Sequence, residues 1–276
     1  MEYSVDTTYG LGYSAFIVLV AKASGHSDVV SNFMKNAAIL SIDLNAKDNI
    51  GSTGFHLACK VGHVNVIKVL MENSANLNID LNAKNDRGQT SFSTACDHGL
   101  INVVKMFMEN AATLRIDINA KDNQGRTAFH YAYKFVDMTK MFMENSVTLS
   151  IDLNAKDKEG QTAFHLACKH RYVAVVKLLM KSSVSLNIDL NAKDNKGQTA
   201  FHKACKNSCS YVAKMLMDYS ATYSINVNTK DNEGLTALHL ACKLNNVHVV
   251  KKLMVNLVAL RFDLNSKDKI GLTIFH

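Results

Sequence analysis

Neither proline nor tryptophan occurs anywhere in the 276 residues. Proline is the residue that most often fixes turns and stops helices, through its locked φ and its missing N–H, and an average chain carries about 5% of it. Something else must end every helix here. Long apolar runs are missing too: the longest, Ala15 to Ala21, is far below the ~18 to 20 residues of a bilayer crossing, so no membrane insertion is expected. Residues 11 to 23 resemble a weak secretory leader with an A-x-A-like Ala21-Lys22-Ala23. Glu2 and Asp6, however, stand where such leaders carry basic residues. Secretion is not expected. A polybasic tail is absent as well, although Lys and Arg outnumber Asp and Glu by 31 to 24, a balance compatible with acidic partners.

What is present is apolar residues at 47% of the chain, enough for a sizeable core, and a repeat. Gly51, Gly88, Gly125, Gly160, Gly197, Gly234 and Gly271 follow one another at 37 residues, except for a step of 35 from Gly125 to Gly160. A fixed period of this length is the mark of a stacked array. The unit containing Gly160 is representative. Ile151-Asp152-Leu153-Asn154-Ala155-Lys156-Asp157 leads to the turn, Thr162-Ala163-Phe164-His165-Leu166-Ala167-Cys168 follows it, and an apolar run ends at Met180.

Alternation of apolar and polar residues, as in Leu77-Asn78-Ile79-Asp80-Leu81-Asn82, predicts a half-buried strand before each turn. Asp-x-x-Gly suits a tight turn, because Asp bonds its own downstream backbone and Gly accepts positive φ. Thr162 is placed to cap the first helix with its hydroxyl. In the second helix, Val66, Ile67, Leu70 and Met71 recur at three and four and form one apolar stripe. Helices of roughly ten residues do not stand alone in water. Each unit must therefore be stabilised by the units beside it.

T-A-F-H-L-A resembles the T-P-L-H-x-A signature of the ankyrin repeat, whose unit is ~33 residues. Thr, His and Ala match at Thr53/His56/Ala58, Thr127/His130/Ala132, Thr162/His165/Ala167, Thr199/His202/Ala204 and Thr236/His239/Ala241. The resemblance implies an all-α solenoid of stacked helix pairs with β-hairpin-like turns. Residues 1–41 are read as a degenerate N-terminal repeat or cap, 42–261 as six repeats and 262–276 as a truncated further repeat. It also implies that the signature histidine ties the turn to the helix start through both ring nitrogens.

Three departures from the family pattern stand out. The signature proline is replaced in every unit, for example by Gly54, Ser91 and Ala163, and each unit is about four residues longer. The Gly62-His63 joint between the two helices becomes Gly99-Leu100, Arg171-Tyr172, Ser208-Cys209 and Asn245-Asn246. If that joint needs a left-handed residue, the non-glycine ones are strained. The third unit is two residues short there, near Phe135 and Val136, where a kink is expected.

The repeated His and Cys invite a metal or catalytic reading, but one of each per unit is too few. Zinc takes four ligands at ~2.0 to 2.3 Å, whereas packed helices lie ~8 to 10 Å apart. Ser93 also replaces one His and Tyr133 one Cys. Cys59, Cys96, Cys168, Cys205 and Cys242 occupy one equivalent slot, as a small apolar residue would. A cysteine nucleophile, by contrast, needs a single asymmetric site. No catalytic residue, metal ligand or cofactor is assigned, and the protein is expected not to be an enzyme. Cys209, outside the ladder, is expected to be a surface thiol. Met71, Met108, Met143, Met180 and their equivalents follow the apolar stripe and are assigned to the core. Reduced cysteines point to a cytoplasmic or nuclear setting.

Function in an array resides where the units differ. The family resemblance implies a concave face made of turn tips and the exposed sides of the first helices, gripping a protein partner. The differing positions there are Asn49, Ile50, Ser52, Lys60, Arg87, Gln89, His98, Gln124, Arg126, Phe135, Glu159, Gln161, His170, Lys196, Gln198, Asn207, Glu233, Leu235 and Leu244. Exposed apolar residues among them, such as Ile50, Phe135, Leu235 and Leu244, resemble an interface core. Lys60, Lys134, Lys169, Lys206 and Lys243 form a stripe suited to an acidic partner, while other lysine ladders read as solvated faces. Nucleic acid is not expected, because aromatic platforms are not interleaved with the basic residues. The expected state is a monomeric non-catalytic scaffold. The chain stops at Gly271-Leu272-Thr273-Ile274-Phe275-His276 without a polar capping unit, which gives the expectation of a longer array. The alternative function is then a targeting or regulatory segment of a larger enzyme or membrane-active protein.

Overall fold

The computed structural model describes residues 15–22, 27–37, 39, 42–255 and 262–275. Among them are fourteen short helices arranged as successive pairs, and none is long and apolar enough to cross a membrane. The chain divides into two compact units, residues 1–128 with 147–151 and residues 129–146 with 152–276. The first holds α1 (Ala15–Lys22), α2 (Ser27–Lys35), α3 (Gly54–Val61), α4 (Val64–Glu72), α5 (Ser91–Asp97) and α6 (Ile101–Asn110). The boundary falls in α7 (Ala128–Ala132). The second unit continues with α8 (Val136–Glu144), α9 (Ala163–Lys169), α10 (Val173–Lys181), α11 (Ala200–Lys206), α12 (Ser210–Asp218), α13 (Ala237–Lys243) and α14 (Val247–Met254).

Threonine begins the first helices, as the sequence predicts. Thr53, Thr90, Thr162 and Thr236 are extended residues whose hydroxyls accept the backbone N–H three residues on. Capping of this kind stabilises a helix by about 1 kcal/mol and fixes its start without proline. The apolar stripes then decide what packs on what. In the first unit α1, α3 and α5 stack as one layer and α2, α4 and α6 as the other. Phe55 and Phe92 meet Phe107 at ring-centroid distances of 5.6 and 5.3 Å. In the second unit α9, α11 and α13 form one layer and α8, α10, α12 and α14 the other. Phe129 and Phe142 lie 5.6 Å apart there. Cys59, Cys96, Cys168 and Cys205 are fully buried between layers, as are Met71, Met108, Met143, Met180 and Met217; Cys242 is half-buried and Met254 exposed.

The joint between the two helices is left-handed in most pairs. Gly62 and Gly99 adopt φ of 84° and 73°, and Arg171, Ser208 and Asn245 adopt 67°, 56° and 52°. The last three are the strained non-glycine residues anticipated from the sequence. Between α7 and α8 the two missing residues remove this turn, and Phe135 enters α8 from an extended conformation instead.

The expected strand does not form. Among the described residues the turn segments contribute only isolated bridges, Lys47 with Thr53 and Lys84 with Thr90. Positive φ at Asn78, Arg115, Ser150, Asn187 and Ser224 breaks each segment before an extended run can develop. Its alternation has another cause: Ile79 and Leu81 dip into the core while Asp80 points to solvent. The segment's exposed backbone groups are met by side chains. Asn45 donates to the Asn78 carbonyl (2.8 Å) and accepts from the Asp80 N–H (2.8 Å). Asn82, Asn154 and Asn191 bracket the following segment in the same way. One asparagine per repeat thus does what a neighbouring strand would do.

Candidate functional site

The repeated histidine is consumed inside the stack. His56 Nδ1 accepts the Thr53 N–H at 3.2 Å and lies 2.9 Å from the Thr53 hydroxyl. Accepting at Nδ1 leaves Nε2 as the protonated nitrogen, and Nε2 donates to the carbonyl of Gln89 in the next repeat (3.0 Å). His165 and His202 do the same toward Gln198 and Leu235. The resemblance implied a tie between turn and helix start; the geometry adds a second tie, to the adjacent repeat. Burial pushes the pKa of His56, His165 and His202 down, to about 4 for His165, although the backbone carbonyl acceptors oppose that shift. These rings are held neutral.

Burial likewise pushes the thiols of Cys59, Cys96, Cys168 and Cys205 up, and a thiol far from its thiolate form is a poor nucleophile and metal ligand. Cys209 is not a surface thiol. It is 3% exposed, because Ser208 turns the chain left-handed and tips Sγ inward toward the carbonyls of Lys169 and Asn207. Among the described residues no three His, Cys, Asp or Glu side chains gather as metal ligands would.

The turn lysines are not simply solvated. Lys47 and Lys84 each donate to the backbone carbonyl of the equivalent lysine one repeat on, at 2.8 Å, and Lys156, Lys193 and Lys230 do so in the second unit. At the turn itself an Asp or Asn closes the loop: Asp157 Oδ1 accepts from the N–H groups of Glu159 and Gln161. Gly160 follows at φ 75°, and a Cβ there would lie 2.6 Å from the Asn195 backbone nitrogen, so the repeats approach too closely for a side chain.

The candidate partner-contacting residues separate by burial. Asn49, Ile50, Arg87 and Gln124 of the first unit, and Glu159, Lys196 and Glu233 of the second, lie exposed at turn tips. Their tips are tied backbone to backbone, with Asp86 N–H bonded to the Ile50 carbonyl and Asn195 N–H to that of Glu159. Lys60, His98, His170 and Leu244 are exposed near the ends of first helices, where Phe135 and Asn207 are half-buried; Arg126 and Leu235, beside the turns, are also half-buried.

Ser52, Gln89, Gln161 and Gln198, by contrast, are buried. Each follows the turn glycine directly, where the chain bends back under its own tip, and their side chains serve the interior. Gln161 donates to Glu159, and Gln198 to Asp231 Oδ2 at 3.1 Å.

Gln198 also belongs to a buried polar cluster that sequence reasoning missed. Lys203, on α11, reaches Asp194 Oδ2 at 2.5 Å and Gln198 Oε1 at 3.3 Å, with both charged side chains almost wholly buried. Burial pushes the Asp194 carboxyl up, but hydrogen bonds from Lys203 and from the backbone of Gln198 and Lys196 outweigh it and hold the group below its ordinary value. A signal was available: residues 161–169 and 198–206 differ only in Leu166 against Lys203. The equivalent positions in the first unit are Leu57 and Thr94, and the Thr94 hydroxyl is buried without a hydrogen-bond partner. Thr94→Val, which keeps the shape and removes the orphaned group, should raise the stability of the first unit by about 1 kcal/mol. The check is a urea midpoint, and an unchanged or lower value would show the hydroxyl to be satisfied.

A family model described as Ankyrin repeats (3 copies) matches residues 16–122, 113–194 and 184–268. No curated protein matches the chain. Among solved structures, the crystal structure of the ankyrin repeat domain of Bcl-3, described as a unique member of the IkappaB protein family, is 24% identical. The match covers 81% of this chain and 92% of that one, with a TM-score of 0.67.

Proposed function

The chain belongs to the ankyrin-repeat family, and from that premise we propose that it is a non-catalytic scaffold which holds a partner protein on its turn tips and the exposed sides of its first helices. One observation carries the reading: most residues that recur from repeat to repeat are spent internally. The histidines, ladder cysteines, bracketing asparagines and turn lysines all bond or pack against their own or the adjacent repeat. Exposed at the turn tips and helix ends are residues that differ from repeat to repeat, including Ile50, Arg87, Glu159, Lys196 and Leu244. Ile50 and Leu244 keep about half of their surface in water (56% and 46%), and large apolar groups on such positions suit the desolvated centre of an interface.

Replacing Ile50 and Leu244, singly and together, by serine is expected to abolish capture of partner proteins from a cell extract while circular dichroism stays unchanged. Truncating central interface residues typically weakens binding by about 2 kcal/mol or more each. Retention of every captured protein by the folded variant would place the binding surface elsewhere.

A further inference from the structure

Within the second unit, the ends of the first helices make a basic edge that the scaffold reading does not by itself explain. Lys169, Lys206 and Lys243 occupy the last turns of α9, α11 and α13, with Arg171 following and Lys134 just after α7. Residues 169–172, 206–209 and 243–246 contain no acid. The nearest carboxylate in sequence, Asp137, is engaged by Lys140 at 3.8 Å. Glu159 and Glu233 lie at the turn tips, beyond the opposite ends of these helices. Lys169, Lys206 and Lys243 make no ion pair among the described residues.

The edge is tied together from repeat to repeat. Arg171 donates to the Asn207 carbonyl at 3.1 Å, and Asn246 donates to the Cys205 and Lys206 carbonyls at 2.8 and 3.2 Å. At one end stands an aromatic cluster. The rings of His170 and Tyr133 stack at 5.5 Å, Tyr172 meets Tyr133 edge-on at 5.2 Å, and Lys134 lies over the Tyr133 ring at 5.8 Å. His170, Arg171 and Tyr172 are exposed.

A last-turn lysine can simply complement the helix dipole. That role does not require it, since α5 of the first unit ends in Asp97. The spacing is more informative. Packed helices lie ~8 to 10 Å apart, so lysines at equivalent helix positions recur at that interval. An extended polyproline-II chain advances ~3.1 Å per residue with three residues per turn. Its same-face side chains therefore recur at about 9 Å.

We infer that this edge docks an extended acidic segment of a partner protein, with Asp or Glu at every third residue and an apolar or aromatic residue seated against Tyr133 and Tyr172. The inference rests on the scaffold reading and names the chemistry of one partner. Single-stranded nucleic acid fits less well, because it calls for a stacking platform at successive steps and here there is one aromatic cluster.

The test uses the full chain and a fluorescein-labelled peptide of about twelve residues, with glutamate at every third position and a terminal tyrosine. Anisotropy at low ionic strength should show saturable binding that weakens with salt. The isomeric peptide with its glutamates clustered should bind at least ~3-fold more weakly, given the mismatch with the ~8 to 10 Å helix spacing. The triple variant Lys169→Glu, Lys206→Glu, Lys243→Glu should lose at least ~10-fold in affinity, and Tyr172→Ala several-fold, while Lys177→Glu, exposed on α10 away from this edge, changes nothing. Should the charge reversal fail to fold, the three Lys→Gln changes give the same reading. Equal binding of the two isomers, unaltered affinity in the triple variant, or tighter binding of oligouridylate than of the peptide would overturn the inference. If the peptide fails while Ile50→Ser, at a turn tip away from this edge, still loses its captured proteins, the scaffold reading stands and this edge alone is dismissed.

Discussion

Asp194→Ala, with Lys203 left in place, is expected to lower the stability of the second unit by about 3 to 5 kcal/mol, whereas Lys203→Leu should change it by less than about 1 kcal/mol in either direction. The two members of one ion pair differ because of what each leaves behind. Without Asp194, the Lys203 ammonium stays buried with only Gln198 Oε1 as a neighbour, and the turn loses the carboxylate that accepts from Lys196 and Gln198 N–H. Without Lys203, Asp194 keeps both backbone bonds and faces a leucine, the arrangement already present where Leu166 accompanies Asp157 in the preceding repeat. The double variant should recover part of the loss of Asp194→Ala, which a double-mutant cycle on urea midpoints measures as coupling. Equal effects of the two single changes would show that the pair, and not the turn, carries the energy.

Acidification gives the second large effect. His56, His165 and His202 have folded pKa values below the ordinary 6.5, with His165 at about 4. Above pH 6.5 the ring is neutral in folded and unfolded chains alike, and stability is full. Between pH 6.5 and about 4 the unfolded chain takes up a proton that the folded chain refuses, so stability falls with pH across that window. For His165 the shift of about 2.5 units corresponds to roughly 3 kcal/mol. Geometry gives the same sign. A proton on Nδ1 would face the Thr162 N–H, which now donates to that nitrogen at 3.2 Å.

Urea midpoints should therefore drop steeply from pH 6.5 to 4.5, and His165→Asn should be less stable at pH 7 but flatter in its pH profile. Asp194 contributes separately. Its depressed pKa yields stability that is present above the ordinary carboxylate value of 3.8 and lost only as pH falls below it. A pH-independent midpoint between 7 and 4.5 would mean that the histidine ties do not hold the stack.

Both effects arise where one repeat meets the next, and this is the level at which the sequence stops being legible. Helix starts at threonine, apolar stripes, left-handed joints and the structural standing of the ladder cysteines depend on neighbours a few residues away, and periodicity exposes them. Gln161 and Gln198 read as exposed partner contacts because they vary and follow a turn; the fold carries them inward. The alternation before each turn reads as a strand because period two is what a strand would show, yet asparagine side chains 33 to 35 residues upstream supply the bonds instead.

By itself, then, the sequence determined the array: its period, its caps, its shortened third joint and its membership of a repeat family. Tertiary structure alone decided which polar residues became ties between repeats, and that Cys209 turned inward. The physical reason is separation along the chain. Local geometry couples residues three or four apart, whereas these ties join atoms some 33 to 41 residues apart whose meeting exists only once the repeats have stacked.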